Sequence, residues 1–274
     1  HTYASAGTYE VSLTASDGTD NNSYSEELTV SMPPVISVTP DALSLELNEG
    51  ETGEQTLTIS NTGGEPLEVE ITIPETVTDI DGNVYGTVEI GDQLWMKENL
   101  KVTHYNDGSE IPTGYSDDGW GDLEQTETGA YAVYNDDPSN AEIYGNLYNW
   151  YAIDLETGVC PENWHVPTDD EWTILSDYLG GSNVAGGKMK ECTEGSCPES
   201  EYWNSPNTGA TNESGFTGLP GGAHYYYGNS RHIGYNGSFW SSTEYSSNDA
   251  WHRGLESNDS TIYRRDYGKD SGFS

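Results

Sequence analysis

Tryptophan occurs in only one part of this chain, and that uneven distribution is the strongest constraint on how the chain folds. All eight Trp residues lie at position 95 or later, whereas residues 1–96 contain 18 acidic residues and no Lys or Arg. Large aromatic side chains build a compact core from few residues. The two parts of the chain therefore need different cores, and we predict two kinds of domain.

Net charge and aliphatic content limit the classes of function. The 274 residues carry a formal charge of −38, and Leu, Ile, Val and Phe together number 44. Such a charge excludes a general nucleic-acid binder, and so few aliphatic residues usually indicate disorder. Twenty Tyr residues, together with the Trp residues, indicate instead a folded, secreted protein. We expect no membrane insertion, because no segment approaches the ~18 consecutive apolar residues of a membrane span.

The N-terminal third has the alternation of half-buried strands. Residues Tyr9 to Thr14 alternate apolar and polar side chains, which places the two kinds on opposite faces of a strand. Turn signals such as Asp17-Gly18 and Asn61-Thr62-Gly63-Gly64 separate such segments. The pattern predicts β-sandwich modules. The chain opens with His1 inside this strand pattern, so we expect both of its ends to be incomplete.

Two short stretches of this third resemble known extracellular modules. Residues 1–31, with His1-Thr2-Tyr3 and Ala6-Gly7-Thr8-Tyr9-Glu10-Val11, resemble the C-terminal part of a polycystic-kidney-disease (PKD) β-sandwich. Residues 35–73, with Val38-Thr39-Pro40, Leu43-Ser44-Leu45 and Leu57-Thr58-Ile59-Ser60-Asn61, resemble the immunoglobulin-like spacers of bacterial surface proteins. The resemblance implies a stalk that holds a functional domain away from a cell.

One clear helix is predicted from Asp169 to about Leu179. Thr168 is a natural N-cap, and Glu171 three residues later completes a capping box. The acidic first turn complements the helix dipole, so these acids need no catalytic explanation. Gly180-Gly181 ends the helix, and Trp172, Leu175 and Leu179 share one face at helical spacing, which predicts that they enter the core.

Residues 79–274 resemble the Fibrobacter succinogenes major paralogous domain. The resemblance is carried, in order, by Asp79-Ile80-Asp81-Gly82-Asn83-Val84-Tyr85, Gln93 to Leu100, Gly145 to Ala152, Cys160-Pro161-Glu162-Asn163-Trp164-His165-Val166-Pro167-Thr168, Gly215 to Gly222, Phe239-Trp240-Ser241-Ser242-Thr243-Glu244 and Gly272-Phe273-Ser274. It implies a C-type-lectin-like α+β fold, related to that of formylglycine-generating enzymes, on a secreted bacterial protein. The predicted fold class is therefore mainly β, with N-terminal PKD- and immunoglobulin-like modules before this α+β domain.

The three cysteines agree with an extracellular setting. Cys192 and Cys197 enclose a four-residue loop that a disulfide can close. In the resembled family another Cys follows soon after the Gly-Phe-Ser strand, which implies a partner for Cys160 beyond Ser274. The alternative is a free buried thiol at Cys160.

The motifs of catalysis are missing from the sequence. The six His residues are scattered, with no His-x-x-x-His, His-x-His or Cys-x-x-Cys, and no Gly-x-Ser-x-Gly occurs. Formylglycine-generating enzymes depend on a reactive Cys pair in their C-terminal half, whereas Trp240 to Ser274 contains no Cys. We therefore predict no enzyme and no required cofactor.

Calcium is the ion that suits this chain best, because hard cations prefer oxygen ligands. Asp79, Asp81 and Asn83 are candidate calcium ligands in a segment that resembles the start of a calcium loop. The alternative for Asp81-Gly82 is a hairpin turn between a strand containing Val77 and one containing Val84.

The best candidate for a binding surface is the run from Tyr245 to Tyr267. It mixes Tyr, Asn, Ser, Asp, His and Arg around the expected core anchors Trp251, Leu255 and Ile262, a composition typical of recognition surfaces. The predicted ligand-binding residues are Tyr245, Asn248, His252, Glu256, Asn258, Asp259, Tyr263 and Arg265. The aromatic cluster from His224 to Tyr227 either extends the same face or packs against the core.

These observations predict an extracellular surface protein in which a β stalk presents a C-type-lectin-like domain for adhesion to a protein or glycan. The first alternative is a structural subunit of an extracellular filament or surface layer, in which identical subunits complete one another's sheets. A formylglycine-generating-type enzyme is the second and weaker alternative.

Overall fold

All strand pairs of the described part of the chain are antiparallel. The computed structural model describes residues 6–16, 21–31, 33–39, 56–68, 74–193, 197–198 and 200–274. The chain divides into two units, His1–Ile73 and Pro74–Ser274. Strands predominate over helices, and the sheets are small and antiparallel, so the predicted mainly-β fold is confirmed.

Two strand pairs make up the described part of the first unit. Strand β1 (Gly7–Ser16) pairs with β2 (Asn21–Val30), and β3 (Ile36–Thr39) pairs with β4 (Thr58–Asn61). The register sets Leu13 opposite Tyr24, and these side chains are 72% and 67% exposed. The hairpin therefore has an apolar face that is largely open to solvent.

Of the two turns named above for this unit, the one after β4 falls within the described residues. Asn61 Oδ1 accepts hydrogen bonds from the Gly63 and Val35 amides at 2.9 and 3.1 Å, which confirms the turn after β4. The Asp17-Gly18 turn and the segment 40–55, with Leu43-Ser44-Leu45, lie outside the described residues.

The second unit contains two three-stranded sheets and two short strand pairs. One sheet contains β5 (Thr76–Thr78), β6 (Val84–Ile90) and β7 (Gln93–Met96), and the short pairs are β8 (Tyr131–Ala132) with β9 (Leu147–Tyr148) and β10 (Ala223–His224) with β11 (Ser230–Arg231). The other sheet contains, in spatial order, β12 (Asn236–Glu244), β13 (Asp249–Glu256) and β14 (Ile262–Gly268).

Short helices connect these strands. They are α1 (Asp117–Gly121), α2 (Leu123–Thr126), a 3-10 turn (Tyr134–Asp136), α3 (Pro138–Tyr144), α4 (Trp150–Ile153), α5 (Asp169–Tyr178) and α6 (Ser182–Met189). None of the helices in the described ranges has the length and apolar character needed to cross a membrane.

Helix α5 confirms the predicted helix and its capping box. The Thr168 hydroxyl accepts a hydrogen bond from the Glu171 amide at 3.2 Å, and the Glu171 carboxylate accepts one from the Thr168 amide at 2.8 Å. Gly180 and Gly181 follow with φ of 102° and 96°, a region that favours glycine, and the helix ends there.

Helix α6 was not predicted, because two glycines at its centre argue against a helix. The glycines are needed for close packing, since a Cβ on Gly186 would lie 2.5 Å from the carbonyl oxygen of Thr261. Helix α6 can therefore approach the chain that enters β14.

Aromatic side chains fill the core, as the composition predicted. The main cluster contains Ile90, Trp95, Trp172, Leu175, Leu179, Ala185, Met189, Trp203, Phe216, Phe239, Leu255 and Ile262. The Trp95 and Trp172 rings are 4.8 Å apart. The indole N–H of Trp172 donates to the carbonyl of Trp240, and that of Trp203 to the carbonyl of Gly218. Trp172 and Trp203 therefore bury their rings while keeping the indole N–H hydrogen-bonded.

Candidate recognition surface

Strand β14 presents a row of three large side chains on one face. The register pairs Tyr263 with Gly254, Arg265 with His252 and Tyr267 with Ala250. Alternate residues of a strand share a face. β14 is the last strand of its sheet, so this row lies at the sheet edge.

A chain of polar contacts orders the Tyr263 end of this row. The Arg265 guanidinium forms an ion pair with Glu256 at 3.0 Å and lies over the Tyr263 ring, 4.1 Å from its centroid. The Tyr263 hydroxyl donates to Asp259 at 2.8 Å. Hydrogen bonds from Thr261 and Tyr263 lower the pKa of Asp259 to about 2, so it is ionised at neutral pH. The structure thus brings four of the predicted residues into contact.

The loop between β10 and β11 carries three tyrosines to the other end of the row. The Tyr225 and Tyr227 rings stack at 5.6 Å, and Tyr226 meets Tyr227 edge-on at 4.7 Å. Gly228, with φ of 78°, closes the loop by donating its amide to the Tyr225 carbonyl at 2.7 Å. Tyr226 is 56% exposed, the most exposed ring of the three.

A ring contact joins the loop to the strand. The Tyr225 and Tyr267 rings are 5.9 Å apart, which fits the predicted extension of the face. Tyr225 also packs against the buried cluster that contains Trp240 and Phe273, which fits the predicted packing against the core. We call the resulting set the tyrosine surface, and its members are Tyr225, Tyr226, Tyr227, Arg231, Tyr263, Arg265 and Tyr267. Sequence analysis did not single out Arg231 and Tyr267; the period-two spacing of Tyr263, Arg265 and Tyr267 was the available signal for the latter.

His252 lies beneath this surface rather than on it. It is 4% exposed, and its Nδ1 bonds to the Arg265 carbonyl at 2.9 Å. Its ring packs 4.9 Å from Phe273 and 5.6 Å from Tyr267. Burial lowers the pKa of His252 to about 4, so the ring is neutral at pH 7. We assign His252 a supporting position.

Among the described residues, the remaining three predicted ones make no ring contact or ion pair with a member of the tyrosine surface and are not counted in it. Tyr245 packs on Trp251 at 4.6 Å, and Trp251 occupies the opposite face of β13 from His252. Asn248 is exposed in the turn between β12 and β13, and Asn258 is exposed in the turn between β13 and β14. The expected anchors Leu255 and Ile262 are buried at 0% and 2%, whereas Trp251 is half-buried.

Helix α1 packs against the loop between β10 and β11, which we call the tyrosine loop. The Trp120 ring contacts the His224 ring at 4.5 Å, and its indole N–H donates to the Asp270 carbonyl at 2.7 Å. A Cβ on Gly121 would lie 2.7 Å from the Tyr226 carbonyl oxygen, so the helix backbone touches the loop. The loop is therefore placed by packing.

Asp270, whose carbonyl accepts the hydrogen bond from Trp120, makes the stability of the fold depend on pH. Burial and the charges of Glu124 and Asp249 raise its pKa to about 6 from 3.8. Because the folded-state pKa exceeds the unfolded value, the ionised carboxylate destabilises the fold increasingly as pH rises through this window. Replacing Asp270 with Asn should raise the melting temperature at pH 7 by several degrees and leave it unchanged at about pH 3.5. Thermal unfolding at both pH values tests this, and an equal shift at both would contradict it.

The candidate calcium ligands form a hydrogen-bonded hairpin turn. The Asp79 carboxylate accepts bonds from the Asp81 and Asn83 amides at 3.0 and 2.9 Å and from the Tyr85 hydroxyl at 2.6 Å. The Asp81 carboxylate instead bonds Thr103. The turn joins β5 to β6, which confirms the hairpin, and calcium binding there stays a prediction. Within the described ranges no group of three His, Cys, Asp or Glu side chains is placed to hold a metal.

Two of the three cysteines form the predicted disulfide, and the third is unpaired within the described residues. The Cys192–Cys197 disulfide is present, with Cα atoms 5.5 Å apart. Cys160 is free and lies, with Ser274, on the wall of an apolar pocket of about 430 Å³. Burial raises the pKa of its thiol to about 12, so the thiol is protonated at neutral pH and is a poor nucleophile. Pairing of Cys160 beyond Ser274 stays a prediction.

Comparison with known proteins identifies the family to which the second unit belongs. Searches of curated proteins and of solved structures gave no match. The model of the Fibrobacter succinogenes major domain matches residues 88–274, which is most of the chain and includes β7, α5 and the whole tyrosine surface. The chain therefore belongs to the Fibrobacter succinogenes major domain family.

Proposed function

We propose that the second unit is a non-catalytic recognition domain of an extracellular bacterial surface protein and that the tyrosine surface binds a protein or glycan. The observation that carries the proposal is the contact between an exposed tyrosine loop and the Tyr263–Arg265–Tyr267 row. Tyrosines give a large contact area with few rotatable bonds, and arginines add directional hydrogen bonds. The C-type-lectin-like fold that the family resemblance implies, and the resemblance of the first unit to PKD- and immunoglobulin-like spacers, support the same function.

Asp259 and His252, which contact members of the tyrosine surface, are poorly suited to general acid–base catalysis. General acid–base chemistry works best with a pKa near the operating pH. The pKa of Asp259 is about 2 and that of the underlying His252 is about 4. Both groups therefore hold one protonation state at pH 7, which supports binding over proton transfer.

Binding panels with a surface variant test the proposal. The variant combines Tyr226→Ala, Tyr227→Ala and Arg265→Ala, and the control combines Tyr115→Ala and Tyr178→Ala, which are also exposed. We expect the full chain to bind at least one member of a glycan or surface-protein panel. The surface variant should lose at least about tenfold in affinity with little change in melting temperature, since contact tyrosines are frequent hot spots. A panel with no binder, or a surface variant that binds like the control, contradicts the proposal.

A specific observation in the first unit favours a second function, that of an assembly subunit. Leu13, Tyr24 and Leu28 are 72%, 67% and 45% exposed on the β1–β2 hairpin. Exposed apolar strand faces are commonly covered by another chain. Light scattering should then detect concentration-dependent assembly that a Leu13→Ser, Tyr24→Ser variant abolishes. A monomer at high concentration in salt and calcium would exclude this function.

A further inference from the structure

Arg231 is one of three basic residues that form no ion pair with a carboxylate of the described residues; the others are Lys97 and the buried Lys190. The chain contains 47 Asp and Glu against nine Lys and Arg. Ion pairs with carboxylates involve Lys101, Lys188, Arg253, Arg264, Arg265 and Lys269. Within the described residues Arg231 has no acidic partner, although it is exposed and lies in a strongly acidic protein.

The orientation of the Arg231 side chain is nevertheless fixed. Its Nε donates to the Asn229 side chain at 3.0 Å, and its guanidinium lies over the Tyr227 ring at 5.3 Å. Its terminal Nη groups make no hydrogen bond within the described part of the chain. A planar guanidinium with two free N–H groups on one edge is suited to bidentate binding of a carboxylate.

An apolar platform lies beside this cationic group. The Tyr226 ring is 56% exposed and stands nearly perpendicular to the Tyr227 ring, which Arg231 covers. An aromatic face attracts the C–H groups of a pyranose ring because its π-system is electron-rich, and the contact removes apolar area from water. The Tyr226 ring and the Arg231 guanidinium lie 4.7 and 5.3 Å from the same Tyr227 ring, so a sugar stacked on Tyr226 is within reach of Arg231.

We propose that the β10–β11 hairpin binds a carboxylate-bearing pyranose, with the sugar ring on Tyr226 and the carboxylate on the Nη groups of Arg231. This inference rests on the proposed function and names the ligand class of the same surface. The 47 acidic side chains of the protein repel an anion from a distance, but at about 0.15 M salt charges more than about 8 Å away are largely screened. Contact with Arg231 then determines whether the hairpin prefers a carboxylate-bearing sugar to an uncharged one.

Matched ligands isolate the carboxylate in the test. Oligogalacturonate and oligoglucuronate are compared with their methyl esters, which keep the ring and remove the charge. We expect the full chain, at about 0.15 M salt, to bind at least one acid about tenfold more tightly than its ester, since a charge-assisted bidentate pair supplies that difference. Titration calorimetry measures the affinities.

Three variants complete the experiment. Arg231→Gln should abolish the preference for the acid, Tyr226→Ala should weaken acid and ester alike, and Lys97→Gln, which removes a charge outside the tyrosine surface, should change neither. Equal affinity for acid and ester, or an Arg231→Gln protein that keeps the preference, overturns the carboxylate inference and leaves the proposed function standing. A tyrosine surface that binds no glycan and no protein in the panels overturns the proposed function itself.

Discussion

Replacing Asp169 with Asn should lower the free energy of unfolding by about 3–5 kcal/mol, the cost of leaving a buried charge without its partner. The Asp169 carboxylate accepts hydrogen bonds from Arg253 Nη1 at 2.5 Å and from Arg264 Nε at 2.9 and 3.0 Å. The Asp169 carbonyl also accepts a bond from Arg253 Nη2. Arg253 is only 2% exposed. Without the carboxylate, its positive charge stays in the core uncompensated.

The neighbouring acid provides the control. Asp170 lies in the same helical turn and carries the same charge, but it is exposed, so Asp170→Asn should change stability by less than about 0.5 kcal/mol. Urea unfolding of the two variants measures the difference. Equal stabilities would show that the Arg253 charge is compensated in another way.

The effect of Asp169→Asn should also depend on pH. Burial alone would raise the pKa of Asp169, but hydrogen bonds from Arg264 and Arg253 outweigh it and hold the pKa below its usual value. A depressed carboxyl pKa gives stability that is complete above the unfolded-state pKa and is lost as pH falls through the folded-state pKa. The gap between wild type and Asp169→Asn should therefore narrow below about pH 4.

The same residue shows which features sequence can predict. The capping box at Thr168 and Glu171 is local and was predicted, because both of its hydrogen bonds join residues three positions apart. The partners of Asp169 lie 84 and 95 positions away. Sequence analysis explained that acid by the helix dipole, since nothing local indicates a buried ion pair.

The tyrosine surface was predictable in its parts but not in its assembly. Composition indicated both the run from Tyr245 to Tyr267 and the cluster from His224 to Tyr227. The alternation of side chains along a strand determines which residues of β13 and β14 share a face of the sheet. It does not predict which part of that face other elements of the fold bury. His252 and Arg265 are paired across the strands, but His252 is buried under Phe273 and Tyr267 whereas Arg265 lies on the edge strand. The contact between the Tyr225 and Tyr267 rings joins residues that are distant in sequence, so it is seen only in the folded structure.

Lys190 connects the core to this surface. Its side chain is fully buried, and Nζ donates to the carbonyls of Thr208, Glu256 and Asp259 at 2.9, 3.0 and 2.9 Å. Burial lowers the pKa of Lys190 to about 8, so the ammonium group is still mostly charged at pH 7. One partner, Glu256, ends β13 and another, Asp259, lies in the turn that follows, and the carboxylates of these two residues hold Arg265 and Tyr263.

Replacing Lys190 with Met should lower the free energy of unfolding by about 3 kcal/mol. Methionine has a similar length but no donor, so three carbonyls lose a hydrogen bond from a charged group at about 1.5–3 kcal/mol each, and removal of the desolvated charge offsets part of that cost. Amide exchange from residues 256 to 261 should accelerate, and binding at the tyrosine surface should weaken, because the turn loses its fixed position.

Lys188→Met is the matched control for this substitution. Lys188 lies two positions earlier, and its ion pair with Glu213 is partly exposed, with side chains 33% and 54% accessible. Such a pair contributes about 0–1 kcal/mol, so the control should unfold nearly like wild type and exchange normally between 256 and 261. If Lys190→Met destabilised the protein without faster exchange in the turn, Lys190 would stabilise the core alone. Its role in positioning the Glu256 and Asp259 carboxylates would then be wrong.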